Sequence, residues 1–156
     1  MQIAIYCFGK AHDSYVAEGV QLFTKRISHY YPIMWYIIPV PKAAATLNGA
    51  PYASAEGEIL LPKLLPTDYV VALDERGEML ASPQLGSTIQ KAANLSSKRL
   101  VLIIGGSYGL CNAVKSKANL LLSLSKLVFP HQLVRIILAE QLYRACTINN
   151  NEKYHH

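Results

Sequence analysis

Short apolar runs alternate with amphipathic stretches along the chain, and the two patterns differ in period. Gln2 to Phe8 is an apolar run of strand length. From Ser14 to Tyr30, Val16, Val20, Phe23, Ile27 and Tyr30 recur at three- and four-residue steps, the repeat of a helix with one buried stripe. Ile33 to Val40 reads as a second strand closed by Pro39 and Pro41. Lys42 to Ser54 mixes Ala, Gly, Pro and Asn without a period and reads as a loop. A short helix is expected from Ala55, limited or kinked by Pro62.

The second half keeps the same rhythm more clearly. Tyr69 to Leu73 is a strand, and Ser82 followed by Pro83 forms an N-cap with Pro at the first helical position, opening a helix to Leu95. Leu100 to Ile104 is continuously apolar, as in a strand covered on both faces. Asn112 caps a short helix to Ala118, Leu120 to Leu124 is a last buried strand, and Pro130 opens a long helix to Thr147. Strands alternating with helices predict one α/β domain over residues 1–156, a mostly parallel sheet with helices on both faces. Ligands of such sheets bind beyond the carboxyl ends of the strands. The turns after Leu73, Ile104 and Leu124 are therefore expected to converge.

Composition narrows the function classes. With 51% hydrophobic and 16% charged residues in 156, the chain can bury a core, and disorder is excluded. No apolar run reaches the roughly 20 residues of a bilayer span, and Met1 to Cys7 has no basic n-region, so a cytoplasmic, membrane-free protein is expected. Cys7, Cys111 and Cys146 are odd in number and lack C-x-x-C spacing, which suggests reduced, mostly buried thiols rather than disulfides or a zinc site. Scattered histidines and the absence of H-E-x-x-H argue against a metal. No G-x-S-x-G elbow supports an acyl-transfer triad, and no phosphate loop supports a nucleotide hydrolase. The net charge of +5 is uneven: residues 1–78 sum to −2 and residues 79–156 to +7, with no carboxylate between Glu78 and Glu140. That asymmetry points to a polyanionic partner.

Three constellations could carry chemistry. Leu73-Asp74-Glu75-Arg76-Gly77-Glu78 either offers backbone groups to a ligand or is a charged turn in which Gly77 supplies a positive φ. Gly105-Gly106-Ser107-Tyr108-Gly109 lets a backbone approach a ligand closely, but it is not G-x-G-x-x-G and no ribose-gripping acid follows, so a dinucleotide site is not supported. In Ser123 to Arg135 a strand runs through small hydroxyls, Lys126 and Phe129 into a helix whose amino end carries His131 and, one turn later, Arg135. Such a junction suits an anion or carboxylate, although a lone His131 could equally be a cap residue. The long helix is apolar almost all round, with Leu133, Val134, Ile136, Ile137, Leu138 and Leu142. Its second cover is either another subunit or the interior of a monomer.

Five blocks occurring in order carry a family resemblance: Val70 to Gly77, Leu102 to Leu110, Leu122 to Arg135, Glu140 to Ala145, and the terminal Tyr154-His155-His156. Together with Phe8-Gly9-Lys10 they resemble, over essentially the whole chain, the RlmH family of SPOUT-superfamily methyltransferases, which modify N3 of a pseudouridine in 23S ribosomal RNA. The resemblance implies a parallel α/β sheet with a C-terminal trefoil knot, a homodimer, S-adenosylmethionine as cofactor, and the assembled ribosome as substrate. It maps the cofactor contacts onto Leu73, Gly105, Leu124, Ser125, Lys126, Leu127, Val128 and Phe129. The substrate side is assigned to His131, Arg135, Arg144, Tyr154 and His155, with His155 the neutral-pH group for assisting deprotonation. Leu127-Val128 stands where Met-Thr is common, and the 42–54 loop is poorer in charge than is usual. A non-catalytic RNA-binding module with a vestigial pocket is the alternative, and it gives no reason for three Gly- and Ser-bearing turns at successive strand ends.

Overall fold

The apolar runs become five strands whose side chains alternate between two cores. In the computed structural model, which describes residues 1–40, 42–44 and 46–154, β1 (Gln2–Phe8) sends Ile3, Ile5 and Cys7 to one face and Ala4, Tyr6 and Phe8 to the other. β2 (Ile33–Ile38), β3 (Asp68–Met79), β4 (Arg99–Ile104) and β5 (Leu120–Ser123) complete one sheet of order β2-β1-β4-β3-β5, every pair parallel.

The five α-helices of the described residues divide between the two faces. α1 (Ser14–Ile27), α3 (Ser82–Asn94) and α5 (His131–Asn149) share the core built on Ile5, Leu100 and Leu102. On the opposite face, α2 (Gly49–Leu60) supplies Leu60 and α4 (Asn112–Lys115) supplies Val114 to the core of Tyr6, Val101 and Ile103. α5 lies between α1 and α3 and over the sheet, with Leu138, Ala139, Leu142, Ala145 and Cys146 wholly buried. Most of its all-round apolar character is thus explained within one chain; Leu133 and Ile137 stay half exposed on its outer side.

Several expected boundaries shift for identifiable reasons. Gly49–Leu60 is helical although its first part reads as loop, because Pro51 sits in the first turn, where a missing N–H costs nothing. A 3-10 turn, Lys42–Ala44, precedes it, and Pro62 lies in another, Leu61–Lys63. The cap of α3 is Ala81, not Ser82: its N–H donates to Gln84 Oε1 at 2.7 Å and its carbonyl accepts from the Gln84 N–H. Cys111, one residue before Asn112, is the N-cap of α4, which ends at Lys115.

Arg135 is the largest difference from expectation. Instead of facing a ligand it is fully buried in α5, donating from Nη2 to the Phe8 carbonyl at 3.1 Å and from Nη1 to the Lys10 carbonyl at 3.0 Å. The end of β1 leaves the sheet with carbonyls that lack ladder partners, and a forked cation satisfies two of them at once.

β3 also runs longer than its apolar core. Leu73 and Glu78 both oppose Leu122 of β5, so Asp74–Gly77 loop out of the ladder between them. Gly77 is needed for close approach rather than for a positive φ. A Cβ there would lie 2.6 Å from the Leu121 backbone. Replacing Gly77 with Ala should force β3 from β5 and lower stability by about 2 kcal/mol or more, read as a drop in the urea midpoint; an unchanged midpoint would refute this account of the excursion.

Candidate active site

A parallel sheet delivers the carboxyl ends of its strands to one edge, and here three of them open onto one cavity of about 470 Å³. β3 supplies Leu73 to Arg76, the turn after β4 supplies Gly105 to Gly109, and the turn after β5 supplies Leu124, Ser125 and Leu127 to Phe129. His131 and Val134 of α5 and Lys115 of α4 close the sides. The convergence expected from the strand pattern is therefore met.

Each turn has its own physical anchor. After β4, Gly106 and Gly109 pair as an antiparallel bridge, the Gly109 N–H donating to the Gly106 carbonyl at 3.1 Å. A Cβ on Gly105 would press on the Gly109 backbone at 2.9 Å, so the doubled-back turn admits no side chain there. After β5, the Ser125 Oγ accepts from the Leu127 N–H at 2.9 Å, and the Ser123 hydroxyl donates to the Ser125 carbonyl at 3.0 Å. The small hydroxyls shape this turn. On the β3 excursion, Lys115 pairs with Asp74. Burial alone would raise the Asp74 pKa, but Lys115 and the Arg76 N–H outweigh it and hold the carboxyl below its ordinary value.

The structure brings together only some of the residues singled out from sequence. Leu73, Gly105, Leu124, Ser125, Leu127, Val128, Phe129 and His131 line the cavity. Lys126 is exposed and is not part of the lining, and Arg135 is buried against the end of β1 as described. Arg144, on the far half of α5, and Tyr154, beyond its end, form a separate cluster. Arg144 Nη2 meets Glu140 Oε1 at 2.6 Å, its guanidinium lies 4.9 Å over the Tyr154 ring, and the Tyr154 hydroxyl donates to the same carboxylate oxygen at 3.3 Å. Thirteen residues at 1.5 Å rise separate His131 from Arg144 by roughly 20 Å. His155 lies outside the described residues.

Other contributors had no sequence signal. Gln132 accepts from the Asp13 N–H through Oε1 at 3.2 Å and donates to the Ala11 carbonyl at 3.1 Å, fastening the β1–α1 loop to the amino end of α5. His12 packs edge-on to Trp35, with Nδ1 3.2 Å from Arg135 Nη1. Burial and then the Arg135 charge hold its pKa below the usual histidine value, so it accepts from Arg135 as a neutral ring. Two of the three thiols are inert: burial raises Cys7, and it pushes Cys146 up to about 12. No group of three or more His, Cys, Asp or Glu among the described residues could hold a metal ion, and no described helix is long and apolar enough to cross a membrane.

The basic second half is less available than its charge sum implies. Arg99 is bound to Asp68 at 2.6 Å, Lys115 to Asp74 and Arg144 to Glu140, and Arg135 is internal. Exposed cations after Glu78 are Lys91, Lys98, Lys117, Lys126 and Lys153.

Comparison with known proteins agrees with this cavity. A family model described as a predicted SPOUT methyltransferase matches residues 1–155. A protein named ribosomal RNA large subunit methyltransferase H from Parabacteroides distasonis is 41% identical, aligned over 100% of this chain and 99% of its own. One of the same name from Cytophaga hutchinsonii is 40% identical over 100% of both. Among solved structures, a probable methyltransferase from Bordetella pertussis superposes with a TM-score of 0.55 at 14% identity, covering 93% of this chain and 94% of that one, a likeness of fold. The matched length and identity, joined to a cavity at the ends of three parallel strands, make this chain a member of the SPOUT methyltransferase family, among the ribosomal RNA large subunit methyltransferases H.

Proposed function

We propose that this enzyme transfers a methyl group from S-adenosylmethionine to N3 of a pseudouridine in the 23S RNA of the assembled ribosome, acting as a homodimer in the cytoplasm. The observation that carries the reading is the single cavity built by the three strand-end turns. Its volume of about 470 Å³ suits a nucleoside-sized ligand. Leu73, Leu124, Leu127 and Phe129 offer apolar faces to an adenine, and the doubled-back turn that Gly105 permits brings the Gly105–Gly109 segment to the cavity wall. These residues fit the cofactor, and Ser125 and Val128 complete the wall. When bound, S-adenosylmethionine supplies a methyl group on a sulfonium sulfur. The trefoil knot implied by the family resemblance belongs to this same reading.

The chain's own residues must orient the base and lower the cost of losing its N3 proton. A cation beside the ring stabilises the anion that forms. His131 stands at the cavity, whereas Arg144 lies roughly 20 Å along the same helix, with Tyr154 packed on it from beyond the helix end. A two-fold pairing of α5 helices resolves this separation. In an antiparallel pair whose axis passes near Ile137 and Leu138, His131 of one copy meets Arg144 of the other. The half-exposed Leu133 and Ile137 and the 71% and 83% exposure of Leu127 and Val128 supply apolar surface for that contact. Arg135 has no place in this chemistry, since its guanidinium holds the end of β1. A purely RNA-binding module is not favoured, because binding RNA gives no role to three turns enclosing one cavity.

Two experiments test these statements. With methyl-labelled S-adenosylmethionine, whole ribosomes should accept label while free 23S RNA should not, and digestion should place the label on N3 of one pseudouridine. Strong labelling of free RNA, or of another atom, would overturn the substrate assignment. Separately, His131→Ala and Arg144→Ala should each lose most activity, by about 100-fold. Mixing and re-assembling the two variants should restore about a quarter of wild-type activity, since half the dimers are mixed and each has one intact site. No recovery, or a monomer in sedimentation, would remove the shared site.

A further inference from the structure

One carboxylate in the molecule occupies a position that a hydrophobic residue would normally take. The buried stripe of α2 is Ala53, Glu56, Gly57 and Leu60, at three- and four-residue steps, so Glu56 points into the core with 1% of its surface exposed. No side chain among the described residues pairs with either oxygen, and the one donor that faces the carboxyl is the Gly106 N–H, outside full hydrogen-bond geometry. An isolated buried carboxylate is expensive, and a protein that keeps one has a use for it.

Its surroundings say what the use is. A Cβ on Gly106 would lie 2.2 Å from Glu56 Oε1 and 2.7 Å from Oε2, so the carboxyl fills the space where that residue has no side chain. Gly106 is part of the turn that walls the cavity, which puts Glu56 behind the wall and the ligand in front of it. The titratable groups nearby are Tyr52 on α2, Tyr108 of the turn and Cys111 at the cap of α4, whose Sγ would be 2.4 Å from a Cβ on Gly57. None is a cation. The Tyr108 hydroxyl donates instead to Asn48 Oδ1 at 2.8 Å, and Lys115 of α4 is taken by Asp74. Burial pushes the Glu56 carboxyl up to about 7, against a smaller downward pull from the Gly106 N–H, so both protonation states are populated near neutrality.

We propose that Glu56 is a positioning residue for the cofactor: its ionised carboxylate fixes the Gly105–Gly109 turn from behind and favours a sulfonium cation in the cavity, while a proton on it weakens that binding. This rests on the assignment of S-adenosylmethionine to the cavity. A ligand that prefers the ionised form lowers the carboxyl's pKa in the complex. Binding therefore releases a proton and tightens as pH rises through about 7, levelling off above it.

Calorimetric titration of the intact protein with S-adenosylmethionine, which needs no turnover, tests this. Wild type should bind about five-fold more tightly at pH 8 than at pH 6, the change expected if binding lowers the carboxyl's pKa by about one unit, and should release protons in phosphate and Tris buffers compared at pH 7. Glu56→Gln keeps the shape and removes the titration, so its affinity should vary less than about two-fold over the same range. His131 also lines the cavity, and His131→Asn should keep the wild-type slope. A flat wild-type profile, a sloping Glu56→Gln profile, or loss of the slope in His131→Asn would each overturn the proposal. If Glu56→Gln does not fold, proton release by wild type and by His131→Asn decides the matter. Failure of wild type to bind at any pH would refute the cofactor assignment itself and this proposal with it, whereas binding without pH dependence would refute only the latter.

Discussion

An all-parallel sheet forces every strand to end at the same edge, and everything functional in this molecule depends on that constraint. β3, β4 and β5 are adjacent or nearly so in the order β2-β1-β4-β3-β5, so the turns that follow them have no choice but to meet. The price is paid in backbone groups. Each strand leaving a parallel sheet carries carbonyls and N–H groups that the ladder no longer satisfies. Arg135 supplies donors to the end of β1, Ser123 and Ser125 knit the turn after β5, and the Gly106–Gly109 bridge closes the turn after β4. These local repairs leave the inner surfaces of the turns free to face a ligand.

The two core faces treat charge differently. On the α1–α5–α3 side, Arg135 is buried but has carbonyl partners on two residues, which makes it a structural cation. On the α2–α4 side, Glu56 is buried about as deeply with no side-chain partner and only the Gly106 N–H facing it, which makes it a titratable acid. A paired buried charge resists change in protonation, and an unpaired one responds to whatever alters its surroundings. Only the second can couple a ligand to pH.

Much of the fold was legible because its signals are local. Strand positions follow from apolar runs such as Leu100 to Ile104, and the convergence of the turns after Leu73, Ile104 and Leu124 follows from alternation alone. What failed to show depends on contacts distant in sequence. Pro51 reads as a breaker unless its place in a first turn is known. Arg135, one turn after His131, has the look of a ligand group, and only the approach of Phe8 and Lys10, more than a hundred residues away, gives it another task. Glu56 resembles any charged helical residue until the stripe it belongs to is seen to face inward. Gly77 has the same letter whether it serves a turn or a close strand approach, and the backbone of Leu121 decides between them.

Charge bookkeeping from sequence also overstates the surface field. A second half of net +7 suggests a broadly basic face, yet Arg99, Lys115 and Arg144 are each held by a carboxylate and Arg135 is internal. What remains is a scatter of lysines, Lys91, Lys98, Lys117, Lys126 and Lys153, on separate elements. Such a surface can be drawn to phosphates over a Debye length without gripping a particular strand. Selectivity must then come from the shape of a folded RNA surface that presents its base to the cavity, and a second copy, where one pairs, would double the lysines that face it. A small domain with few free cations therefore has more to gain from pairing than a larger one, because the two-fold pairing proposed for α5 would also join two weak phosphate surfaces into one.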